Sequence, residues 1–256
     1  TSRSDAEDII QGLESGADDY ITKPVVAAEL NARITSALRV LDFEEKLKNK
    51  EKEVRLNCYK TLTQLAETRD HESEGHMTRV GQFCAMIAKK MGFDEKFCQD
   101  LEVFAPMHDI GKVGIPDGIL HVPRELCSEE FQVIKMHTQI GWQILKDKEV
   151  FELAAEIAYT HHEHWDGNGY PRHLKGEAIP IAGRICAVAD CYDSLRSVRS
   201  YRSKASHNQV INWIKLSSGT VFDPKVVEAA VAIENDLKEL FDKTYTIEVE
   251  ESPNRI

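Results

Sequence analysis

The sequence predicts a mainly α-helical fold, on three observations. Apolar residues recur every three or four positions through most of the chain, which is the spacing of one face of an α-helix. Strand-like segments are short and few, at residues 19–22 and 245–249. Residues 27–69 contain no glycine or proline and are dense in charge, which favours one long helix over a flexible linker.

The composition restricts the class of protein. A chain of 256 residues has room for one large domain, or for a domain with a smaller piece attached. A net charge of -11 argues against a general binder of nucleic-acid polymers or of membrane surfaces. The six cysteines form no CxxC pair and sit among apolar residues, as reduced cysteines of the cytoplasm do. No apolar run is long enough to cross a bilayer and no signal peptide is evident, so we expect a cytoplasmic protein.

The sequence pattern of residues 1–40 predicts a helix over 5–15, a strand at 19–22 and the start of the long helix. The run GADDY at 16–20 and the pair Lys23-Pro24 resemble the last part of a bacterial response-regulator receiver domain. The resemblance implies a truncated α/β receiver fragment, with Lys23 at the phosphoryl contact and an upstream histidine kinase as the partner of a full receiver. An unrelated segment of helix, strand and helix is the alternative.

Residues 41–56 are the predicted helical linker, within one long helix that runs from about residue 27 to residue 69. Its apolar residues form a loose heptad-like stripe, which favours a parallel homodimer. The stripe consists of Leu38, Leu41, Leu47, Val54, Thr61 and Leu65. A solvated helix that packs on its own domain explains the same pattern equally well.

The spacing of apolar residues over 57–241 predicts a single all-α domain. A tail with a short strand is predicted over 242–256. A first helix ends at Gly92, since glycine is a frequent helix terminator. Further helices are predicted at residues 94–107, 128–146, 149–162, 180–197, 205–217 and 223–241.

Side chains that can bind a metal are concentrated at the ends and on single faces of these helices. Five histidines and three carboxylates form the set: Glu72, His76, His108, Asp109, His137, His161, His162 and Asp190. Each alone could be a structural residue, but the two adjacent pairs and the four-residue spacing of Glu72 and His76 favour ligands. Nitrogen and oxygen ligands without cysteine suit Fe, Mn, Co, Ni or Zn in a hydrolytic site. More ligands are present than one ion uses, and two-metal sites commonly hydrolyse phosphoesters.

The motifs HDIGK at 108–112, HHE at 161–163 and GYP at 169–171 resemble the HD-GYP family. This family comprises metal-dependent phosphodiesterases for cyclic dinucleotides within the wider HD superfamily, so the resemblance implies an all-α HD-type domain. It implies that the eight residues above are metal ligands and that Asp109 and Lys112 are catalytic, with Lys112 beside the scissile phosphate or a metal-bound water. Glu72 matches the extra ligand of three-metal members, which favours a trinuclear site over a dinuclear one.

The resemblance also assigns residues to the substrate. These are Tyr170 and Pro171 at the mouth of the site, and Asp193, Arg199 and Arg202 further along the chain. Arginine suits both tasks, since its fork of donors matches a phosphate and a guanine edge. Residues 198 and 200 depart from the pattern of the family, which leaves the choice of base open.

The function implied is hydrolysis of cyclic di-GMP to pGpG, and further to GMP, as the output domain of a response regulator. Iron or manganese is the expected metal, with nickel, cobalt or zinc as alternatives. Three other functions remain open: hydrolysis of cyclic GMP-AMP, a silent receptor that binds a cyclic dinucleotide without turnover, and the nucleotide phosphohydrolase activity of the broader HD group. The GYP motif disfavours the last of these.

Overall fold

A computed structural model describes the backbone of residues 10–11, 13–21, 23–67, 75–122, 124–197 and 204–251, and the side chains of these residues except 66, 67 and 246–251. These residues form helices and no β-strand, apart from one isolated bridge between Ser218 and Phe222. The predicted mainly α fold is therefore confirmed. The chain divides into two compact units, Thr1–Cys58 and Tyr59–Ile256. Among the described helices, none is both long and apolar enough to cross a membrane.

The first unit contains a short helical segment and most of helix α1 (Ala27–Glu67). The helical segment ends at Gly16, whose φ of 96° is a conformation that glycine adopts without strain. The strand predicted at residues 19–22 does not form over 19–21, and residue 22 lies outside the described residues. A strand needs a neighbour to pair its backbone, and the described part of the chain supplies none. The receiver-like fragment remains a prediction.

Helix α1 has the bounds that its sequence predicts, as far as Glu67. Ion pairs one helical turn apart stabilise its exposed surface, such as Lys46 with Asp42 at 2.7 Å. Leu38 and Leu47 of the predicted stripe are exposed. That exposure fits a dimer seam and also fits a solvated helix, so the homodimer remains a prediction.

The second unit is a bundle of helices of unequal length. The α-helices are α2 (His76–Lys90), α3 (Glu95–Phe104), α4 (Asp117–Leu120), α5 (Ser128–Leu145), α6 (Glu152–Thr160), α7 (Ile181–Arg196), α8 (His207–Leu216), α9 (Pro224–Ala232) and α10 (Glu234–Glu251). Four short 3-10 helices lie between them, at Ala105–Met107, Ile110–Gly114, Glu149–Phe151 and Gly176–Ala178.

The hydrophobic core of this unit lies between α2 and α7 and extends to α8, α9 and α10. Phe83 of α2 is fully buried and its ring meets that of Tyr192 of α7 edge to face at 5.2 Å. Ile87 and Ile185 are buried in the same cluster. Each side chain of this size contributes about 1.5–3 kcal/mol when it leaves water, so this core fixes α2 and α7 against each other.

Two sequence predictions near the C-terminus are wrong. The helix predicted over 223–241 is two helices, because the backbone leaves the helical conformation at Ile233. The strand predicted at residues 245–249 lies within α10. Helical spacing lets Phe241 and Tyr245 stack at 5.2 Å, and no neighbouring strand is present in the described chain. The β-branched residues of this segment thus adopt the helix that tertiary packing favours.

Two glycines allow helices of the second unit to approach closely. A Cβ on Gly111 would lie 1.9 Å from the carbonyl oxygen of His137. A Cβ on Gly183 would lie 2.1 Å from Thr160 Oγ1. The 3-10 helix after Asp109 can therefore pack on α5, and α7 can pack on the end of α6. These contacts bring the predicted metal ligands of four elements towards one place.

Substitution of Gly111 by alanine is expected to lower the free energy of unfolding by about 1–3 kcal/mol, since the added methyl group meets backbone rather than a movable side chain. Thermal unfolding of the purified protein measures this change. Gly118→Ala is the matched control, because a Cβ there meets nothing within 4 Å. Equal unfolding temperatures for the two variants would contradict the close approach of the 3-10 helix and α5.

Candidate metal centre

The described members of the predicted ligand set converge in two groups. One group is formed by Asp109, His137, His161 and His162, and the other by His76, His108 and Asp190. Within each group the ligand atoms lie within 4.8 Å of one another. Five separate segments contribute, and the end of α6 alone contributes two histidines. Each group is therefore compact enough to hold an ion.

The carboxylate of Asp109 lies between the two groups. Its Oδ1 is 3.2 Å from His137 Nε2 and 3.6 Å from His161 Nε2. Its Oδ2 is 3.4 Å from His108 Nε2, which belongs to the other group. Lys112 Nζ pairs with the same Oδ2 at 2.7 Å. One carboxylate can thus serve as a ligand to both sides, while Lys112 offsets part of its charge.

The backbone fixes the orientation of three histidine rings. His108, His137 and His161 each place Nδ1 near the carbonyl oxygen of a residue three or four positions earlier, at 2.9, 2.7 and 3.1 Å. Because a carbonyl oxygen only accepts, each Nδ1 carries the hydrogen and donates it. The neutral ring then keeps its lone pair on Nε2, which is the atom that faces the site.

His76 is oriented by a carboxylate instead. Its Nδ1 lies 2.7 Å from Asp193 Oδ2, while its Nε2 lies 3.5 Å from Asp190 Oδ1 in the ligand group. Asp193 is fully buried and also accepts hydrogen bonds from Arg79 at 2.5 and 3.1 Å. Burial alone would raise the pKa of Asp193, but His76 and Arg79 hold it below its usual value. Asp193 therefore orients His76 of the ligand group, and its predicted contact with substrate stays a prediction.

Arg79 connects Asp193, which orients His76, to the last helix of the unit. Its side chain is fully buried, and its guanidinium carbon lies 5.0 Å from the ring centroid of Phe241 and 5.9 Å from that of Tyr245. Sequence reasoning missed Arg79, although its position one turn after His76 on an amphipathic helix is a usable signal. The aromatic residues of α10 thereby support His76 through Arg79 and Asp193.

The histidines of the site differ in the direction in which their surroundings shift the pKa. Burial lowers the pKa of His161 and of His162, so both rings are neutral and ready to act as ligands. Burial also opposes a proton on His108, but the adjacent Asp109 carboxylate outweighs it and raises the pKa of His108 to about 10. For Asp109, burial favours the protonated form, yet Lys112 and His108 hold its pKa well below the usual value. A metal at this site requires the neutral imidazole of His108, so metal binding would compete with protonation of that ring.

Two buried polar atoms without a hydrogen-bond partner indicate whether these residues fit a metal. His108 Nε2 and Asp109 Oδ1 make no hydrogen bond within the described part of the chain. Leaving a buried polar atom unsatisfied costs about 1–3 kcal/mol. Both atoms point into their ligand groups, where a divalent cation would satisfy them. Nitrogen and carboxylate donors in this arrangement fit a divalent transition metal, and metal binding agrees with the sequence prediction.

The segment after α6 forms the mouth of the site. The ring of Tyr170 stacks on His162 with centroids 4.7 Å apart, and the Tyr170 amide donates to the His162 carbonyl at 3.0 Å. A Cβ on Gly169 would lie 2.1 Å from the backbone nitrogen of His164, so this close turn requires glycine. Pro171 follows Tyr170 and is half-buried. Tyr170 and Pro171 thus lie where the sequence predicts a substrate contact, and that contact stays a prediction.

Glu163 stabilises this segment through hydrogen bonds to its backbone. Its side chain is buried and accepts the backbone amides of Arg172 and Leu174 at 2.7 and 3.0 Å. The carboxylate therefore closes the loop that carries Tyr170 and is not a member of either ligand group. Glu163 directly follows the histidine pair in the sequence, and only the fold shows that its side chain points into the loop.

Three predicted site residues lie outside the described residues: Glu72, Arg199 and Arg202. Helix α2 begins at His76 with Gly75 as its N-cap, so the shared helical face of Glu72 and His76 stays a prediction. The contacts assigned to Arg199 and Arg202 stay predictions as well. Lys112 lies beside Asp109 as a catalytic lysine requires, and its contact with substrate is likewise untested.

Comparisons with known proteins agree on one family. The HD domain family matches residues 60–226. A cyclic di-GMP phosphodiesterase of Thermotoga maritima is 39% identical over 94% of this chain and 72% of its own length. The cyclic di-GMP phosphodiesterase response regulator RpfG of Xanthomonas campestris is 35% identical over 85% of this chain and 62% of its own length. Both relatives are longer than the part that this chain matches.

A solved structure supports the fold. The HDG"Y"P protein Bd1817 of Bdellovibrio bacteriovorus superposes with a TM-score of 0.52 over 64% of this chain and 51% of its own, at 20% sequence identity. At that identity the likeness concerns the fold alone. It agrees with the HD-type helical domain that the sequence predicts.

Asp193→Asn is expected to weaken metal binding by about 10–100-fold, because the amide cannot serve both His76 and Arg79 as an anionic acceptor. The metal content after dialysis against a graded series of chelator concentrations measures the loss. Asp223→Asn is the control, since Asp223 is also buried and paired with an arginine, at 2.6 Å from Arg184, yet contacts no ligand histidine. Equal metal retention in the two variants would remove Asp193 from the support of the site.

Proposed function

Because the chain belongs to the HD domain family, in its HD-GYP branch, we propose that it is a metal-dependent phosphodiesterase that hydrolyses cyclic di-GMP. The observation that carries this proposal is the pair of ligand groups that meet at Asp109. Two adjoining cation sites are the usual arrangement for hydrolysis of a phosphodiester. The relatives named above for cyclic di-GMP support the choice of substrate.

Divalent ions would complete this site. When bound, they supply Lewis acidity to the phosphodiester and lower the pKa of water. The seven described ligands would hold two ions, and Glu72 would complete a third. Iron or manganese suits the mixture of imidazole and carboxylate ligands best.

The residues of the chain divide the remaining tasks. The carboxylate of Asp109 holds the two ligand groups at a fixed separation, and the ammonium of Lys112 beside it offsets negative charge on the phosphoryl oxygens as the reaction proceeds. Tyr170 narrows the mouth above His162 and orients the substrate. Water adds to one phosphorus and the bond from phosphorus to the 3′ oxygen breaks, which gives linear pGpG. A second hydrolysis gives GMP.

The biological setting follows from the same family. The likeness to a response regulator, together with the receiver-like run at 16–20 and Lys23, supports an output domain of two-component signalling. Its input would be an upstream histidine kinase, and α1 would join two copies in a homodimer. The free cysteines suit the reducing cytoplasm, where cyclic dinucleotides are made and degraded.

The double variant His108→Ala with Asp109→Ala is expected to lose more than about 100-fold in turnover of cyclic di-GMP, because both ligand groups lose a member. Chromatography of pGpG and GMP, with Mn²⁺ or Fe²⁺ under anaerobic conditions, measures it. His121→Ala is the control, since His121 belongs to neither ligand group. Full activity of the double variant would refute the site.

The same assay separates the alternatives. Faster hydrolysis of cyclic GMP-AMP than of cyclic di-GMP by the unaltered chain would assign it the other dinucleotide. Tight binding of cyclic di-GMP without turnover in the metal-loaded protein would make it a receptor.

A further inference from the structure

Lys135 holds a positive charge at the mouth of the metal centre. It lies on α5, two residues before the ligand His137. Its ammonium is 4.8 Å from the ring centroid of Phe131 and 5.0 Å from that of Tyr170. Contacts of this kind stabilise a cation without neutralising it. The charge of Lys135 is therefore positioned by two aromatic rings and stays available to an anion.

The surroundings of Lys135 differ from those of Lys112. Lys112 is paired with the Asp109 carboxylate at 2.7 Å. Over the described ranges of the chain, the ammonium of Lys135 makes neither a hydrogen bond nor an ion pair with a protein group. Its side chain is nevertheless half-buried. A half-buried cation without a carboxylate partner is well suited to an anionic ligand.

Tyr170 connects Lys135 to the metal centre. The same ring that faces the Lys135 ammonium stacks on His162 at 4.7 Å. Lys135 thus lies one aromatic ring away from the ligand groups.

Phe131 adds an apolar surface beside this charge. Phe131 is 44% exposed, although its ring also contacts Lys135 and Tyr170. Stacking of a nucleobase on an exposed aromatic ring contributes about 1–3 kcal/mol. A lysine ammonium can pair with a phosphate, and the exposed phenylalanine ring beside it can stack on the base that adjoins this phosphate.

We propose that Lys135 binds the second, non-scissile phosphodiester of the cyclic dinucleotide, and that Phe131 stacks on the base beside it. This inference rests on the proposed function, because a cyclic dinucleotide carries two phosphates and the metal centre with Lys112 serves only the one that is cleaved. Lys135 and Phe131 would then determine specificity for a dinucleotide over a simple phosphodiester. Neither residue would take part in the bond-breaking step.

The first test compares two substrates on the full metal-loaded chain. Bis(p-nitrophenyl) phosphate has one phosphodiester and no base, so it uses the metal centre without the proposed second contact. In Lys135→Ala, the ratio of kcat/KM for cyclic di-GMP to kcat/KM for this small ester is expected to fall about tenfold or more, through KM. Lys135→Arg should restore most of the ratio, and Phe131→Ala should lower it about fivefold or more.

Lys146→Ala is the matched control, because Lys146 follows the same helix and its ammonium also lies over an aromatic ring, 4.4 Å from the centroid of Trp142. Its ratio should equal that of the unaltered chain. An unchanged ratio in Lys135→Ala, or an equal loss on both substrates, would overturn the inference.

A binding measurement separates this inference from the proposed function. Fluorescently labelled cyclic di-GMP is titrated onto the metal-stripped chain, where no hydrolysis occurs. Weaker binding by Lys135→Ala than by Lys146→Ala supports the contact, and equal binding or no binding by the unaltered chain overturns it. Failure of the metal-loaded chain to hydrolyse cyclic di-GMP would instead refute the proposed function.

Discussion

The carboxylate of Asp109 is the group on which the rest of the site depends. Its two oxygens face different sets of histidines, at 3.2 Å from His137 and 3.4 Å from His108. A buried carboxylate of this kind is costly unless cations surround it. Lys112 supplies one positive charge, and divalent ions in the two ligand groups would supply the others. The helices must therefore hold all the histidines at once, and the close approach at Gly111 is what permits this.

The ligand rings are oriented by two different means. For His108, His137 and His161 the acceptor is a backbone carbonyl within the same helical turn, so local structure is sufficient. For His76 the acceptor is Asp193, which lies 117 residues away in the sequence. This second kind of support depends on tertiary packing, since Arg79 and the aromatic residues of α10 hold Asp193 in place. The packing of the last helix therefore contributes to the orientation of His76.

Sequence reasoning was accurate where the signal was local. The absence of glycine and proline predicted the extent of α1 as far as Glu67, and the motifs HDIGK and HHE selected residues that the fold brings together. It was incomplete where a long-range contact decides. The resemblance to the HD-GYP family assigned Asp193 to substrate, and only the fold shows that Arg79 and His76 contact its oxygens. The strand predicted at residues 245–249 failed for the same reason, since helical packing outweighs the β-branched composition there.

If both ligand groups are filled, Asp109 would be a ligand to both ions. Electron paramagnetic resonance of the Mn²⁺-loaded chain tests it directly, because ions that share a carboxylate ligand are magnetically coupled and isolated ions are not. The account predicts a coupled signal in the unaltered chain that is lost in Asp109→Asn, while Asp223→Asn retains it. Signals of isolated Mn²⁺ alone in the unaltered, fully loaded chain would contradict the shared site.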